Sequence, residues 1–117
     1  MLSIHKTING QMTKLDKVED GCWVNLTYPT EDEMSTVTAL LGIDPGFLRA
    51  ALDEEETSRI DTEDGQTLII IDLPSVEKGE AVVYSTLPLG IIVAEKCIIT
   101  VCLKETPVIR DFQDGLV

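Results

Sequence analysis

The chain has 117 residues, of which 44% are hydrophobic and only 4% aromatic, so its length and composition fit one compact domain with an aliphatic core. Its 21 acidic and 9 basic residues give a formal charge of −12, which argues against binding nucleic acid or anionic lipid, because both need clustered Lys and Arg. No stretch approaches the roughly 20 apolar residues of a membrane-spanning helix, so we expect one soluble domain over residues 1–117.

The first predicted elements are three β-strands. Residues 2–8 and 11–18 alternate in polarity around Asn9-Gly10, a pair that favours a type I′ hairpin turn. A third strand is predicted over residues 22–28. Its period of two places Trp23, Asn25 and Thr27 on one face and the remaining residues on the other, namely Cys22, Val24, Leu26 and Tyr28.

Two helices are predicted next. Thr30 and Glu33 have the spacing of a capping box, and Gly42 stands where a glycine ends the first helix. Asp44-Pro45 starts a second, shorter helix. The core-facing positions predicted for the first helix are Met34, Val37, Leu40 and Leu41, and those for the second are Phe47, Leu48, Ala51 and Leu52.

More strands follow, with a short helix at the end. Residues 58–62 and 66–73 form a second predicted hairpin around Asp64-Gly65, and the apolar run 67–74 predicts a central strand covered on both faces. Residues 81–86, 89–94 and 97–103 read as further strands. Thr106 caps a helix of about two turns, too short to be stable alone, so we expect the chain to be cut from a longer one. The fold class is mixed α/β, with six or seven strands and two short helices on one face.

Catalytic patterns are not legible in this sequence. His5 is the only histidine, and no nucleophile–base set or phosphate-binding glycine loop is present, so we expect no enzyme and no catalytic cofactor. The odd set of Cys22, Cys97 and Cys102 lacks a CxxC spacing and indicates structural thiols in a reducing compartment. The spacing of five between the last two places them on opposite faces of a strand.

The densest charge run is Asp53-Glu54-Glu55-Glu56, at the carboxyl end of the second predicted helix. The helix dipole disfavours acids there, so the run suggests a cation or a basic partner. A solvated loop is the simpler alternative. The acids near Thr30, by contrast, have a local role at the start of their helix.

The segments GCWVNLTYPTEDEM, LLGIDP, ALDEEETSRID and STLPLGIIVAEKCIITV resemble, in order and spacing, the cytoplasmic N-terminal domain of the CorA family of divalent-cation transporters. The family pattern has a Trp-containing strand before the first helix, a Gly-Ile-x-Pro link between helices and an Ile-Ile-Thr-Val strand. The match spans nearly the whole chain, and the order of the segments is more specific than any one of them.

The resemblance implies an αβα sandwich, here with part of its helical layer missing, from a homopentameric magnesium channel on the cytoplasmic face of the membrane. It also implies metal bound between neighbouring domains in the closed state. The pore motif and both membrane helices would lie beyond Val117, so this piece alone would transport nothing and would reach the membrane only through them. The sequence does not indicate whether the transported ion is Mg²⁺, Co²⁺, Ni²⁺ or exported Zn²⁺, because the pore that selects the ion is absent. A sheet face that the missing helices leave uncovered would tend to self-associate, so we expect the isolated piece to form a dimer or larger oligomer.

One departure from the family concerns its regulatory metal. Where well-known members carry an acidic pair, this chain has Arg49 and Ala50, which cannot ligate Mg²⁺. We therefore predict that Asp53, Glu54, Glu55 and Glu56, one turn later, act as outer-sphere or direct ligands. Trp23 is interpreted as part of the fold beneath the helical layer. The alternative function is a stand-alone cytosolic module that binds a small ligand or a protein.

Overall fold

The computed structural model describes residues 1–78 and 82–116, apart from the side chains of residues 75–78 and 82–84. Its elements are β1 (Leu2–Ile8), β2 (Gln11–Leu15), β3 (Cys22–Thr27), α1 (Glu31–Leu41), α2 (Pro45–Ala50), β4 (Arg59–Glu63), β5 (Gln66–Lys78), β6 (Val82–Val93), β7 (Cys97–Cys102) and α3 (Pro107–Gln113). None of the helices in these described ranges is long and apolar enough to cross a membrane.

The seven described strands form one mixed sheet in the order β2-β1-β3-β7-β6-β5-β4. All neighbours are antiparallel except β3 and β7, whose parallel pairing joins the two halves of the sheet. Helices α1 and α2 pack on one face, called the covered face here, and α3 packs on the opposite face, called the second face. The predicted mixed α/β sheet with two short helices on one face is confirmed.

Both predicted hairpin turns are present. Asn9 and Gly10 have φ of 52° and 79°, and Asp64 and Gly65 have φ of 50° and 79°. Positive φ at both central residues is the requirement of a type I′ turn, whose twist matches that of the flanking strands. The two outermost pairs of the sheet, β1–β2 and β4–β5, are therefore set by local sequence.

The alternation of β3 is confirmed up to its last residue. Val24 and Leu26 are buried in the main core on the covered face, while Trp23 packs into the smaller core on the second face. The prediction that Tyr28 continues the strand toward the core is wrong. The strand ends at Thr27, because Tyr28 takes a φ of 43° that is incompatible with extended backbone, and its side chain is exposed.

Helix α1 begins with the predicted capping box. The backbone N–H of Glu33 donates to the Thr30 hydroxyl at 3.1 Å, and the Glu33 carboxylate accepts from the N–H of Thr30 at 2.9 Å. Val37 is buried and Met34 and Leu41 pack at its edge, but Leu40 is 66% exposed. Its predicted core position is wrong, because it lies over an open cavity of about 440 Å³ between α1 and residues 16–18. There β2 has already ended, at Leu15 instead of the predicted residue 18.

Helix α2 lies very close to the sheet. The Asp44 carboxylate accepts from the N–H of Gly46 at 2.8 Å and caps the helix, as predicted. Phe47, Leu48 and Ala51 are buried, and Ala51 faces Gly90 in β6. A Cβ added to Gly90 would lie 2.3 Å from the Ala51 Cβ, so a glycine is needed at this crossing.

Strands β5 and β6 are longer than predicted and pair from Thr67↔Val93 to Lys78↔Val82. The predicted breaks at Pro74 and Pro88 are wrong. Pairing with β4 stops at Ile70 and pairing with β7 stops at Leu89, so both prolines lie where one side of the strand has no hydrogen-bonded neighbour among the described strands. Residue 81, where we predicted the start of a strand, lies outside the described residues.

The two faces of β5 are covered unequally. Leu68 and Ile70 are fully buried on the covered face, whereas Ile71, on the second face, remains 38% exposed. The prediction that this strand is central and covered on both faces is therefore wrong for this chain. Among the described strands, only edge strand β4 lies outside β5, and Ile71 lines an open cavity beside α3.

Candidate functional site

The acidic run after α2 has largely local contacts. The Asp53 carboxylate accepts from the N–H of Glu55 at 2.9 Å, and the Glu56 carboxylate pairs with Arg59 at 3.3 Å. Arg59 also lies 3.7 Å from Asp61. These contacts are those of a turn leading into β4, and they leave Glu54 exposed to solvent.

A complete metal centre is not assembled by the described part of the chain. Within residues 1–78 and 82–116, no group of three or more His, Cys, Asp or Glu side chains is placed to share one ion. The four acids of the run, Asp53, Glu54, Glu55 and Glu56, are adjacent in sequence, yet Asp53 bonds to a backbone N–H and Glu56 pairs with Arg59. Their role as metal ligands stays a prediction.

Arg49 and Ala50 end helix α2, just before this run. Arg49 is exposed and lines a cavity of about 240 Å³ between α1 and α2, together with Glu31 and Met34. No ion pair to Arg49 occurs among the described residues. This end of α2 therefore presents a cation where the resemblance leads one to expect carboxylates.

An apolar surface lies in a groove on the second face, called the apolar groove here. Its volume is about 430 Å³ and its accessible lining is entirely apolar. Strands β5, β6 and β7 form its floor and α3 forms one wall. Its lining residues are Trp23, Ile71, Leu73, Leu89, Ile91, Ile98, Thr100, Val108, Ile109 and Phe112.

Several large side chains of the apolar groove are only partly covered. Ile98 is 45% exposed, and Val108 and Phe112 of α3 are exposed to a similar extent. Burying apolar surface contributes roughly 25 cal/mol per Å², so leaving this face in water forgoes stabilisation that a second layer would supply. The alternation of β7, in which Ile98 and Thr100 share the face of Trp23, could have revealed the groove from sequence.

Beside the apolar groove, a buried polar chain crosses the β3–β7 pair. The Trp23 indole N–H donates to the Thr100 hydroxyl at 2.7 Å, and that hydroxyl donates to the Asn25 side-chain oxygen at 2.7 Å. The Asn25 amide in turn donates to the Thr27 hydroxyl at 3.0 Å. Among the described side chains, no buried polar atom lacks a partner. The members of this polar chain bond to one another and have a structural role, so Trp23 is part of the fold, as predicted.

His5 lies beside this polar chain, against the Trp23 ring. Its Nε2 lies 3.0 Å from the Ser3 hydroxyl, and its ring centroid lies 5.0 Å from that of Trp23. Burial, with a smaller contribution from the positive charge of Lys14, lowers the pKa of His5. The Gln113 amide donates to Ser3 at 3.3 Å, which ties the end of α3 to β1. The histidine is thus a buried structural group and not a base facing a cleft.

Known proteins resemble this chain in fold over nearly its whole length. The complete structure of the CorA magnesium transporter from Methanocaldococcus jannaschii matches at 20% identity with a TM-score of 0.79, covering 99% of this chain and 36% of that one. The soluble domain of the same transporter matches at 21% identity and a TM-score of 0.79, with 99% and 46% covered. The ZntB cytoplasmic domain from Vibrio parahaemolyticus matches at 12% identity and a TM-score of 0.70, with 97% and 48% covered.

The chain thus spans less than half the length of each of these structures. A comparison with curated protein sequences finds no significant match. The family profile described as CorA-like Mg2+ transporter protein matches residues 18–116, which include all of the described elements from β3 to α3. The chain therefore belongs to the CorA-like Mg²⁺ transporter family.

Proposed function

We propose that the chain acts as the cytoplasmic regulatory and assembly domain of a CorA-like divalent-cation transporter, and that it performs no catalysis. The observation that carries this proposal is the apolar groove, an open face on a domain that spans less than half of a CorA soluble domain. Helices that this chain does not contain would pack there and complete a sandwich. Mg²⁺ would be the transported and regulatory ion, and copies of the chain would assemble into a homo-oligomer, a pentamer in the complete transporter.

Electrostatics supports a role near cations. The formal charge of −12 concentrates cations around the domain, and exposed carboxylates follow α2. Mg²⁺ keeps several waters and needs only one or two carboxylates from any one chain. A site between two copies could therefore combine Glu54 or Glu55 of one copy with groups of the next, and the Arg49 side chain would then adjoin it.

The docking role is tested by changing the apolar groove in the isolated domain. Ile98→Lys places a charge among apolar side chains, whereas Ile60→Lys changes an isoleucine that is 73% exposed on β4, outside the groove. Sedimentation velocity at tens of micromolar should show self-association for the wild type and for Ile60→Lys, and monomer for Ile98→Lys. A wild-type domain that is monomeric throughout this range contradicts the proposal that the groove is an uncovered face on which further helices pack.

The regulatory metal is tested separately by calorimetric titration of Mg²⁺. The wild-type domain should bind more tightly than a variant in which Asp53, Glu54, Glu55 and Glu56 are all changed to Ala. A matched control changes three acids of α1, Glu31, Asp32 and Glu33, to Gln or Asn; its binding should equal that of the wild type. Equal weak heats from all three proteins would remove the acidic run from the regulatory site.

A further inference from the structure

Two of the three buried cysteines are direct neighbours across the parallel β3–β7 pair, called the seam of the sheet here. Cys22 and Cys97 are the first residues of β3 and β7 and are register partners in the parallel pair. Register partners of a parallel pair project to the same face, and both side chains lie in the main core, 2% and 7% exposed. Both are free thiols. Cys102 is also free and buried, but it lies in the smaller core on the second face.

The spacing of this pair suits a bridging ion better than a disulfide. Neighbouring strands lie about 4.8 Å apart, and the Cβ atoms of parallel register partners are separated by about the same distance. A disulfide requires Cβ atoms about 3.5–4.5 Å apart. A metal–thiolate bond is about 2.3 Å long, so two thiolates in line on one ion have their sulfurs about 4.6 Å apart.

The surroundings restrict the kind of ion. In the described ranges, no third His, Cys, Asp or Glu completes a centre with these thiols, so the tetrahedral set that Zn²⁺ prefers is not available from them. Two thiolates select soft cations that accept two ligands. A divalent ion with two thiolates is neutral, whereas a monovalent ion would leave a negative charge in an apolar core.

We propose that Cys22 and Cys97 form a two-coordinate binding site for a soft, thiophilic divalent cation, for which Hg²⁺ is the probe. Two S–H bonds break, two metal–sulfur bonds form, and two protons pass to the buffer, with no change of oxidation state. Burial, and then the neighbouring Cys22, raises the pKa of the Cys97 thiol. The site does not depend on the proposed regulatory function.

Entry to the site is from the amino-terminal ends of β3 and β7. Cys97 retains slight exposure and directly follows the turn at Glu95 and Lys96. The N–H of Gly21 donates to the carbonyl of Lys96 at 2.6 Å and holds the residues before the two thiols together. Brief opening of this turn would admit the ion to Cys97 first and then to Cys22.

The test is titration of Hg²⁺ into the reduced domain against a competing small thiol, followed by thiolate–metal absorption in the ultraviolet. We expect one ion per chain, two protons released, and X-ray absorption showing two sulfur ligands. Cys102→Ala is the matched control and should keep the affinity. Cys22→Ala and Cys97→Ala should each weaken binding by about 100-fold or more, because the second thiolate then no longer binds intramolecularly.

Three results would overturn the proposal. One is an unchanged affinity in Cys22→Ala or Cys97→Ala; another is loss of the site in Cys102→Ala. The third is complete conversion of Cys22 and Cys97 to a disulfide by a mild oxidant, detected by mass spectrometry, which would show that the strands approach more closely than a bridging ion needs. Circular dichroism establishes first that each variant is folded. If either alanine variant does not fold, the corresponding Val or Ser variant replaces it.

Discussion

Replacing Gly90 by Ala should destabilise the domain, although Ala is normally the better residue in a strand. The added Cβ would lie 2.3 Å from the Ala51 Cβ and 3.4 Å from the Ala51 Cα. Carbon atoms in contact prefer about 3.5–4.0 Å, so α2 and β6 would have to separate by more than 1 Å, on the order of a third of that contact distance. The obstructing atom is the Cβ of Ala51, the residue that caps α2, and it is attached directly to the backbone, so no flexible side chain can turn aside.

The size of the effect follows from two opposed contributions. Overpacking of this kind costs about 1–3 kcal/mol, and the short, rigid contact places Gly90→Ala in the upper part of that range. Ala also restricts the conformations of the unfolded chain, which raises the free energy of unfolding by about 0.4–1 kcal/mol. The net loss in the free energy of unfolding should be about 2 kcal/mol.

Urea unfolding followed by Trp23 fluorescence measures this loss, since the chain has a single tryptophan. Ala51→Gly removes the obstructing Cβ and alone should cost about 0.4–1 kcal/mol, because glycine gives the unfolded chain more freedom. The double variant should be more stable than the sum of the two single changes predicts, by roughly 1–2 kcal/mol, because the clash is then absent. A Gly90→Ala variant as stable as the wild type, or strictly additive energies in this cycle, would refute the close approach of α2 to β6.

Three further predictions concern local contacts. Thr30→Ala removes half of the capping box and should cost about 1 kcal/mol in urea unfolding, whereas no change would mean that the box is not formed in solution. The pKa of His5 is lowered in the folded state, so the unfolded chain binds the proton more readily, and the free energy of unfolding should fall as the pH drops below about 6.5. His5→Gln should flatten this pH dependence. An identical slope in the variant would count against a role for His5. Thr100→Val keeps the shape of the side chain but leaves the Trp23 N–H without its acceptor and the Asn25 oxygen without its donor. Thermal unfolding should show a loss in the free energy of unfolding of roughly 2–4 kcal/mol. A loss below about 1 kcal/mol would show that water replaces the hydroxyl.

The elements best predicted from sequence are those fixed by contacts between near neighbours. The Asn9-Gly10 and Asp64-Gly65 turns need positive φ at two consecutive residues, and few other residue pairs accept it. The capping box of α1 likewise depends on residues three apart. These features were predictable because their energetics do not depend on the rest of the fold.

The errors arose where a residue's environment is set by distant parts of the chain. Pro74 and Pro88 indicate strand ends when read locally, yet both lie beyond the reach of the adjacent strand, where a missing N–H has no consequence. Leu40 fits the helical period of α1, but it lies at an open cavity and stays exposed. Hydrophobic period reports which way a side chain points, and does not report whether anything covers it.

The candidate surfaces were predictable to different degrees. The family resemblance implied that part of the helical layer is missing, and the apolar groove lies on the second face, beside α3. Asp53, Glu54, Glu55 and Glu56 remain a prediction, because the described residues do not bring three possible ligands together around one ion. The pairing of Cys22 with Cys97 was not foreseen, because parallel register depends on the path of the chain between them.

The parallel seam between β3 and β7 has a consequence for how the protein is made. Asn25 and Thr100, which face each other there, are 75 residues apart in the chain. At about 5–20 residues per second, a ribosome that has finished β3 needs roughly 4–15 s more to deliver its partner strand. Throughout that interval the nascent β3 has one edge of unpaired backbone groups, the kind of edge on which chains aggregate. The rate at which this seam closes, and not the formation of the hairpins, should govern the yield of folded protein.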